Sequence, residues 1–165
     1  HVFASGHGDQ ITHLAASPVQ GDNLLVTGDA GGALRVRRLA VRQRPIAVAS
    51  AASEERVARF GPSLNVTSKL LAQMQLPTAQ LTALVVALHE GTRYVVAGDS
   101  EGKVSVFSRA GELLAKLDAT LTPGASVSGL DVRQGHLLFY APQEWGYVDL
   151  EGMDVKHTDC PDFEG

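Results

Sequence analysis

The stretch GDAGGALRV, Gly28 to Val36, has two readings. A glycine-rich loop can bring backbone N–H groups up to an anion. It can also supply the positive φ angles of a tight turn between two strands. The neighbouring sequence decides between them. Shifted by 70 residues, ITHLAASPVQGDNLLVTGDAGGALRVRR (11–38) falls on LTALVVALHEGTRYVVAGDSEGKVSVFS (81–108) without a gap, with eight identities in 28 positions. Thr12, Leu14, Gly21, Val26, Gly28, Asp29, Gly32 and Val36 meet Thr82, Leu84, Gly91, Val96, Gly98, Asp99, Gly102 and Val106. A phosphate loop needs G-x-x-x-x-G-K-[ST] between a strand and a helix. Neither copy has the lysine–serine pair, and a strand pattern follows each. A turn recurs at one place in every unit, so the glycines read as hairpin turns.

Each copy predicts three strands and a fourth apolar segment. In the first copy these are Ile11–Ala16, Leu24–Thr27, Ala33–Arg37 and Pro45–Ala49. In the second they are Leu81–Leu88, Arg93–Ala97, Lys103–Phe107 and Glu112–Leu117. The run Lys103-Val-Ser-Val-Phe107 alternates as a half-buried strand does. A weaker third copy lies 44 residues further on, where Gly135, Gly146 and Val148 meet Gly91, Gly102 and Val104. Its strands fall near Val127–Val132, His136–Tyr140, Gly146–Leu150 and Met153–His157, with APQEWG at the turn.

These residues resemble the WD-repeat β-propeller family. GHGDQITHLAASP, Gly6 to Pro18, is similar to that family's Gly-His entry into the innermost strand. LLVTGDAGGALRV is similar to its next two strands and their turn, and a unit of about 44 residues fits one four-stranded blade. The resemblance implies an all-β fold, a partial β-propeller of about three four-stranded antiparallel blades. It departs from the family where Arg37-Arg38 and Phe107-Ser108 stand in place of Trp-Asp. Gly31 and Glu101 occupy the position of the aspartate that braces the histidine, so no His–Asp relay is expected. Closed propellers have about 4–8 blades. The chain also opens on His1 without an initiator methionine. We therefore expect a part of a longer chain, with the ring completed by the rest of that chain or by another subunit.

Blade one is expected over about 6–49, blade two over 77–118, blade three over 124–158 and a tail over 159–165. Residues 50–76 form an insertion between blades one and two. Leu70, Leu71 and Met74 predict a short helix over Ser68–Leu76, ended by Pro77, and Glu54–Phe60 a helical turn or an added strand. A long loop on a repeat scaffold is a contact surface or a tolerated insertion. RVRRLAVRQR gathers Arg35, Arg37, Arg38, Arg42 and Arg44, the candidate partner contacts. They form either a docking patch for an acidic group or an edge protected from pairing. Asn65-Val-Thr67 matches an N-glycosylation acceptor, expected on a surface loop.

With 44% hydrophobic and 19% charged residues the chain reads as a folded domain. No apolar run approaches the roughly 18 residues that span a bilayer. A net charge of −4 argues against nucleic acid as a partner. The single cysteine, Cys160, rules out a disulfide within the segment and is either a free thiol or paired beyond it. The histidines show no metal-ligand spacing, and no G-x-S-x-G, H-E-x-x-H or P-loop occurs. His7 is expected to support a turn, and Asp29 and Asp99 to hold turns by hydrogen bonding. No catalytic, cofactor-binding or metal-binding residue is expected. The functional expectation is a non-catalytic protein–protein interaction scaffold in an intracellular setting. The alternative is a lumenal or extracellular sensor or adhesion domain glycosylated at Asn65. A third class is an enzyme whose site lies in blades outside this segment.

Overall fold

A computed structural model describes residues 6–43, 64–76, 79–133 and 136–157. Every regular element among them is a strand, and no helix is long and apolar enough to cross a membrane. The strands are β1 (Ile11–Ala16), β2 (Leu24–Asp29), β3 (Ala33–Gln43), β4 (Leu64–Gln75), β5 (Leu81–His89), β6 (Thr92–Asp99), β7 (Lys103–Ser108), β8 (Leu113–Asp118), β9 (Gly129–Arg133), β10 (His136–Ala141), β11 (Glu144–Asp149) and β12 (Asp154–Lys156). They make three antiparallel four-stranded meanders, β1–β4, β5–β8 and β9–β12. This is the partial propeller that the family resemblance implies.

Turn chemistry sets the register of each sheet. Asp29 and Asp99 close their second strands, and each Oδ1 accepts an N–H at 2.9 Å, from Ala33 and Lys103 respectively. Gly32 and Gly102 then take φ near +80° (+79° and +81°), where a side chain would be strained. The third unit turns differently, through Pro142-Gln143. There the Glu144 carboxylate accepts the Leu121 and Thr122 N–H groups at 2.8 and 3.1 Å, tying the turn to the incoming loop.

The sheets stack through two cores. Leu24, Val26, Leu34, Val36, Ala72 and Met74 of the first sheet pack against Leu81, Val86, Val95, Ala97 and Phe107 of the second. The opposite face of the second sheet, with Ala83, Ala87, Val96, Val104 and Val106, packs against Leu137, Phe139 and Val148 of the third. Strand β6 is buried from both sides, which explains its unbroken apolar run. An Arg93–Asp22 ion pair joins the rims of the first two sheets.

Sheet spacing also explains the second conserved glycine position of the repeat within this chain. A Cβ on Gly98 would fall 2.6 Å from Val127 Cγ1, a stiff β-branched neighbour. At Gly28 the nearest atom is the free end of Leu81, which can swing aside. Gly98→Ala is expected to cost about 1–3 kcal/mol and Gly28→Ala less. Denaturant midpoints of the two variants check the order; equal losses would contradict it.

The helix expected over Ser68–Leu76 is instead the strand β4. Val36 pairs with Ala72 but Arg37 with Leu70, so Leu71 is the extra residue of a bulge. The bulge shifts the phase of the alternation, which is why Leu70, Leu71 and Met74 imitate a helical face. Beyond it Ala72, Met74 and Leu76 are buried with a period of two. The fourth place in the first sheet thus belongs to β4. The segments Pro45–Ala49 and Glu54–Phe60 lie outside the described residues, on the connection from β3 to β4.

Candidate functional site

The outer hairpin of the first sheet carries the candidate residues. Its strands, β3 and β4, have 11 and 12 residues, where the equivalent β7 and β8 have six each. Strand β2 accompanies β3 only as far as Leu24↔Arg38, and the Leu39 N–H then bonds the Asn23 carbonyl at 2.8 Å. From Ala40↔Thr67 to Gln43↔Leu64 β3 and β4 pair with each other as a two-stranded ribbon, and with no third strand among the described residues. Four residue pairs at about 3.4 Å per residue extend the hairpin roughly 14 Å past β2.

The hairpin is electrostatically one-sided. Its two strands hold Arg35, Arg37, Arg38, Arg42 and Lys69 and no carboxylate. Arg35 and Arg37 pair across the sheet with Thr27 and Leu25, on the face turned away from the first core. Arg37 Nη1 donates to Ser68 Oγ at 3.3 Å. Arg35 lies under Gly6, with its Nε buried and unbonded among the described residues. Arg38 belongs to the other face, exposed and directly opposite exposed Lys69. Like charges so placed destabilise a sheet. The basic stretch is therefore divided between two faces. Arg42 stands opposite Asn65 near the ribbon's outer end, and Arg44 lies outside the described residues. Asn65, expected on a loop, is in β4, because the ribbon carries strand pairing out past the sheet. Cys160 lies outside the described residues.

The absence of a His–Asp relay, expected from Gly31, is corrected. His7 Nδ1 lies 2.8 Å from Asp29 Oδ2 and Nε2 lies 2.7 Å from Thr27 Oγ1. The Thr27-Gly28-Asp29 alternation puts both partners on one face, so Asp29 supplies the carboxylate from two residues earlier in the turn. With a carboxylate at Nδ1, that nitrogen donates and Nε2 accepts the threonine hydroxyl. Burial pushes the Asp29 carboxyl up, but the Ala33 N–H and the His7 ring outweigh it and hold it below its ordinary value. Burial also acts on Asp22, where the Ser17 hydroxyl and Arg93 prevail. The Gly152 and Glu151 N–H groups lower Asp149.

These carboxyls bind protons less readily in the fold than in the unfolded chain, so unfolding takes up protons in acid. The stability they add is complete above the ordinary value of 3.8 and fades as the pH falls through the lower folded values. The denaturant midpoint is expected to hold down to about pH 4 and to fall as the pH is lowered further; an unchanged midpoint would refute this.

Two further surfaces were not singled out from the sequence. Leu14, 66% exposed, lies on the outer face of the first sheet. Tyr140 and Trp145, each 38% exposed, are cross-strand neighbours on the outer face of the third. The period-two placement of Leu138, Tyr140, Trp145 and Tyr147 was the available signal. A cleft of about 430 Å³ beside the β6–β7 turn is lined by Glu101, Lys103, Asp118 and Thr120. Lys103 and Asp118 pair with each other there at 2.9 Å. Among the described residues no group of three or more His, Cys, Asp or Glu is placed to hold a metal ion.

No family model matches the chain, and no curated protein matches it. Its fold is similar to the C-terminal WD40 domain of Sif2, with a TM-score of 0.60 and 17% identity over 89% of this chain and 36% of that one. It is also similar to the computationally designed Ika8 protein, with a TM-score of 0.54 and 19% identity over 87% of this chain and 34% of that one. The chain thus spans about a third of the length of these structures.

Proposed function

We propose that the chain is a divergent WD-repeat-like propeller segment that acts as a non-catalytic protein–protein interaction scaffold. The observation that carries this reading is the outer hairpin of the first sheet. It is nearly twice the length of its counterpart, projects past the sheet and concentrates cations in a protein of net charge −4. Its Arg38–Lys69 opposition works against stability, which points to selection for contact rather than for folding. The likeness in fold to a WD40 domain supports the same reading. The ring is completed by further blades from the same chain or from another subunit.

The test is affinity capture of the full-length protein, tagged in its native cell and mildly crosslinked. A stoichiometric protein partner is expected, and the Arg38→Glu, Arg42→Glu double variant is expected to lose it. Recovery of no partner under conditions that retain other known complexes would overturn the reading. Deleting residues 50–76 would be a poorer test, since it removes β4 from its sheet.

A second reading places the protein in a lumenal or extracellular setting with Asn65 glycosylated. The sequon lies where the ribbon projects past β2, and Thr67 is exposed. A mass shift on deglycosylating source-purified protein is expected in that case; an unmodified Asn65 removes this reading.

A further inference from the structure

Strand β4 is the outer edge of its sheet, so one row of its backbone N–H and C=O groups has no strand partner among the described residues. Such edges template unwanted pairing, and proteins keep them short or charged. The other two blades obey this rule. Strand β8 has six residues with Lys116 and Asp118, and β12 has three with Asp154 and Lys156. Strand β4 has 12 residues and one charge, Lys69.

Part of that edge is already covered. Gly111, in the β7–β8 turn, sits against Ala72, the Gln73 carbonyl and Met74. Among the described residues no strand pairs with the stretch Val66 to Leu71 on this edge. Its surroundings are cationic on both faces, with Arg37 bonded to Ser68 on one and Arg38 beside Lys69 on the other. No carboxylate in β3 or β4 offsets them. On the Arg38–Lys69 face an incoming strand would meet an unpaired strand edge together with positive charge that no carboxylate of β3 or β4 offsets.

We propose that the Val66–Leu71 edge takes an added β-strand from a protein partner, an extended acidic peptide segment. This rests on the scaffold reading and names its class of partner. Backbone hydrogen bonds to β4 supply the pairing, as in strand-addition complexes generally. Carboxylates at every second position of the added strand lie over Arg38 and Lys69, and relieve their mutual repulsion. Nucleic acid is disfavoured here, since Val66–Leu71 contains no aromatic side chain on which a base could stack.

The test titrates the full-length protein with a short capped peptide of alternating valine and glutamate, read by amide exchange and calorimetry. Binding is expected to slow exchange in β4 and to weaken as salt is raised. A valine–lysine peptide, and a valine–glutamate peptide N-methylated at alternate residues, are expected not to bind. Lys69→Glu is expected to weaken binding about tenfold. The same change sets a carboxylate opposite Arg38, so the variant should fold at least as well as the parent and a binding loss cannot be laid to unfolding. No binding of the valine–glutamate peptide, equal binding of either control, or an oligonucleotide protecting β4 in its place would overturn the proposal. A failed titration beside a successful affinity capture removes the edge and leaves the scaffold; a failed capture removes the scaffold itself.

Discussion

Phe139→Ala is expected to destabilise the chain by about 3–5 kcal/mol. Phe139 has no exposed surface and fills the space between the second and third sheets. Gly146 opposite it leaves room for the ring: a Cβ there would fall 2.7 Å from Phe139 Cε1. His157 closes the far side in an edge-on contact, with ring centroids 5.8 Å apart. Strand backbones on both sides are held by hydrogen bonds and cannot collapse into the vacancy, so the cavity term adds to the lost transfer energy. Domains are stable by only about 5–15 kcal/mol. The loss would therefore appear as a much lower urea midpoint, or as release of the third sheet ahead of the others. Phe139→Leu should recover most of the stability. A loss under about 1 kcal/mol for the alanine variant would show that the sheets close over the gap.

His7→Ala is expected to cost about 2–3 kcal/mol. The Asp29 carboxylate is 2% exposed and accepts from the Ala33 and Gly31 N–H groups and from His7. Without the ring, Asp29 Oδ2 and Thr27 Oγ1 each lose their contact to His7, and the buried charge keeps one partner fewer. The control is Asp29→Asn. The amide oxygen still accepts from Ala33, and the amide N–H₂ donates to His7 in its other tautomer, whose Nε2–H donates to Thr27. That variant should lose less than His7→Ala. Equal losses in thermal or urea unfolding would mean that the charge, not the network geometry, matters.

The repeat made most of the fold legible, and the reason is local. Strands β5 to β8 fall within two residues of their expected bounds because each hairpin carries its own turn residues, Gly91, Asp99 and Gly102, that fix where pairing begins. Strand β4 was not legible in the same way. Its partner lies across a long connection, and the bulge at Leu71 disrupts the alternation that would have identified it. The His7 network was missed for a related reason. The family pattern points to Gly31, whereas the period of two in Thr27-Gly28-Asp29 already aligned two bonding groups on one face. As for the candidate site, the sequence shows that arginines cluster. Only the register shows that they divide between faces, that Arg38 opposes Lys69, and that Arg42 and Asn65 meet on one ribbon.

The two separate cores have a kinetic meaning. Among the described residues the two cores join each sheet to its immediate neighbour, so the stack behaves as a one-dimensional series whose coupling is carried across successive interfaces. The second sheet is shared by both interfaces and cannot open without losing two sets of packing contacts. Either end can open at the loss of one. Amide exchange should accordingly be slowest in β6 and β7 and faster in β1 and β12, measured residue by residue under native conditions. Uniform protection would mean that the three sheets open as a single unit. A graded pattern would make the middle sheet the last to open and each end the part that yields first.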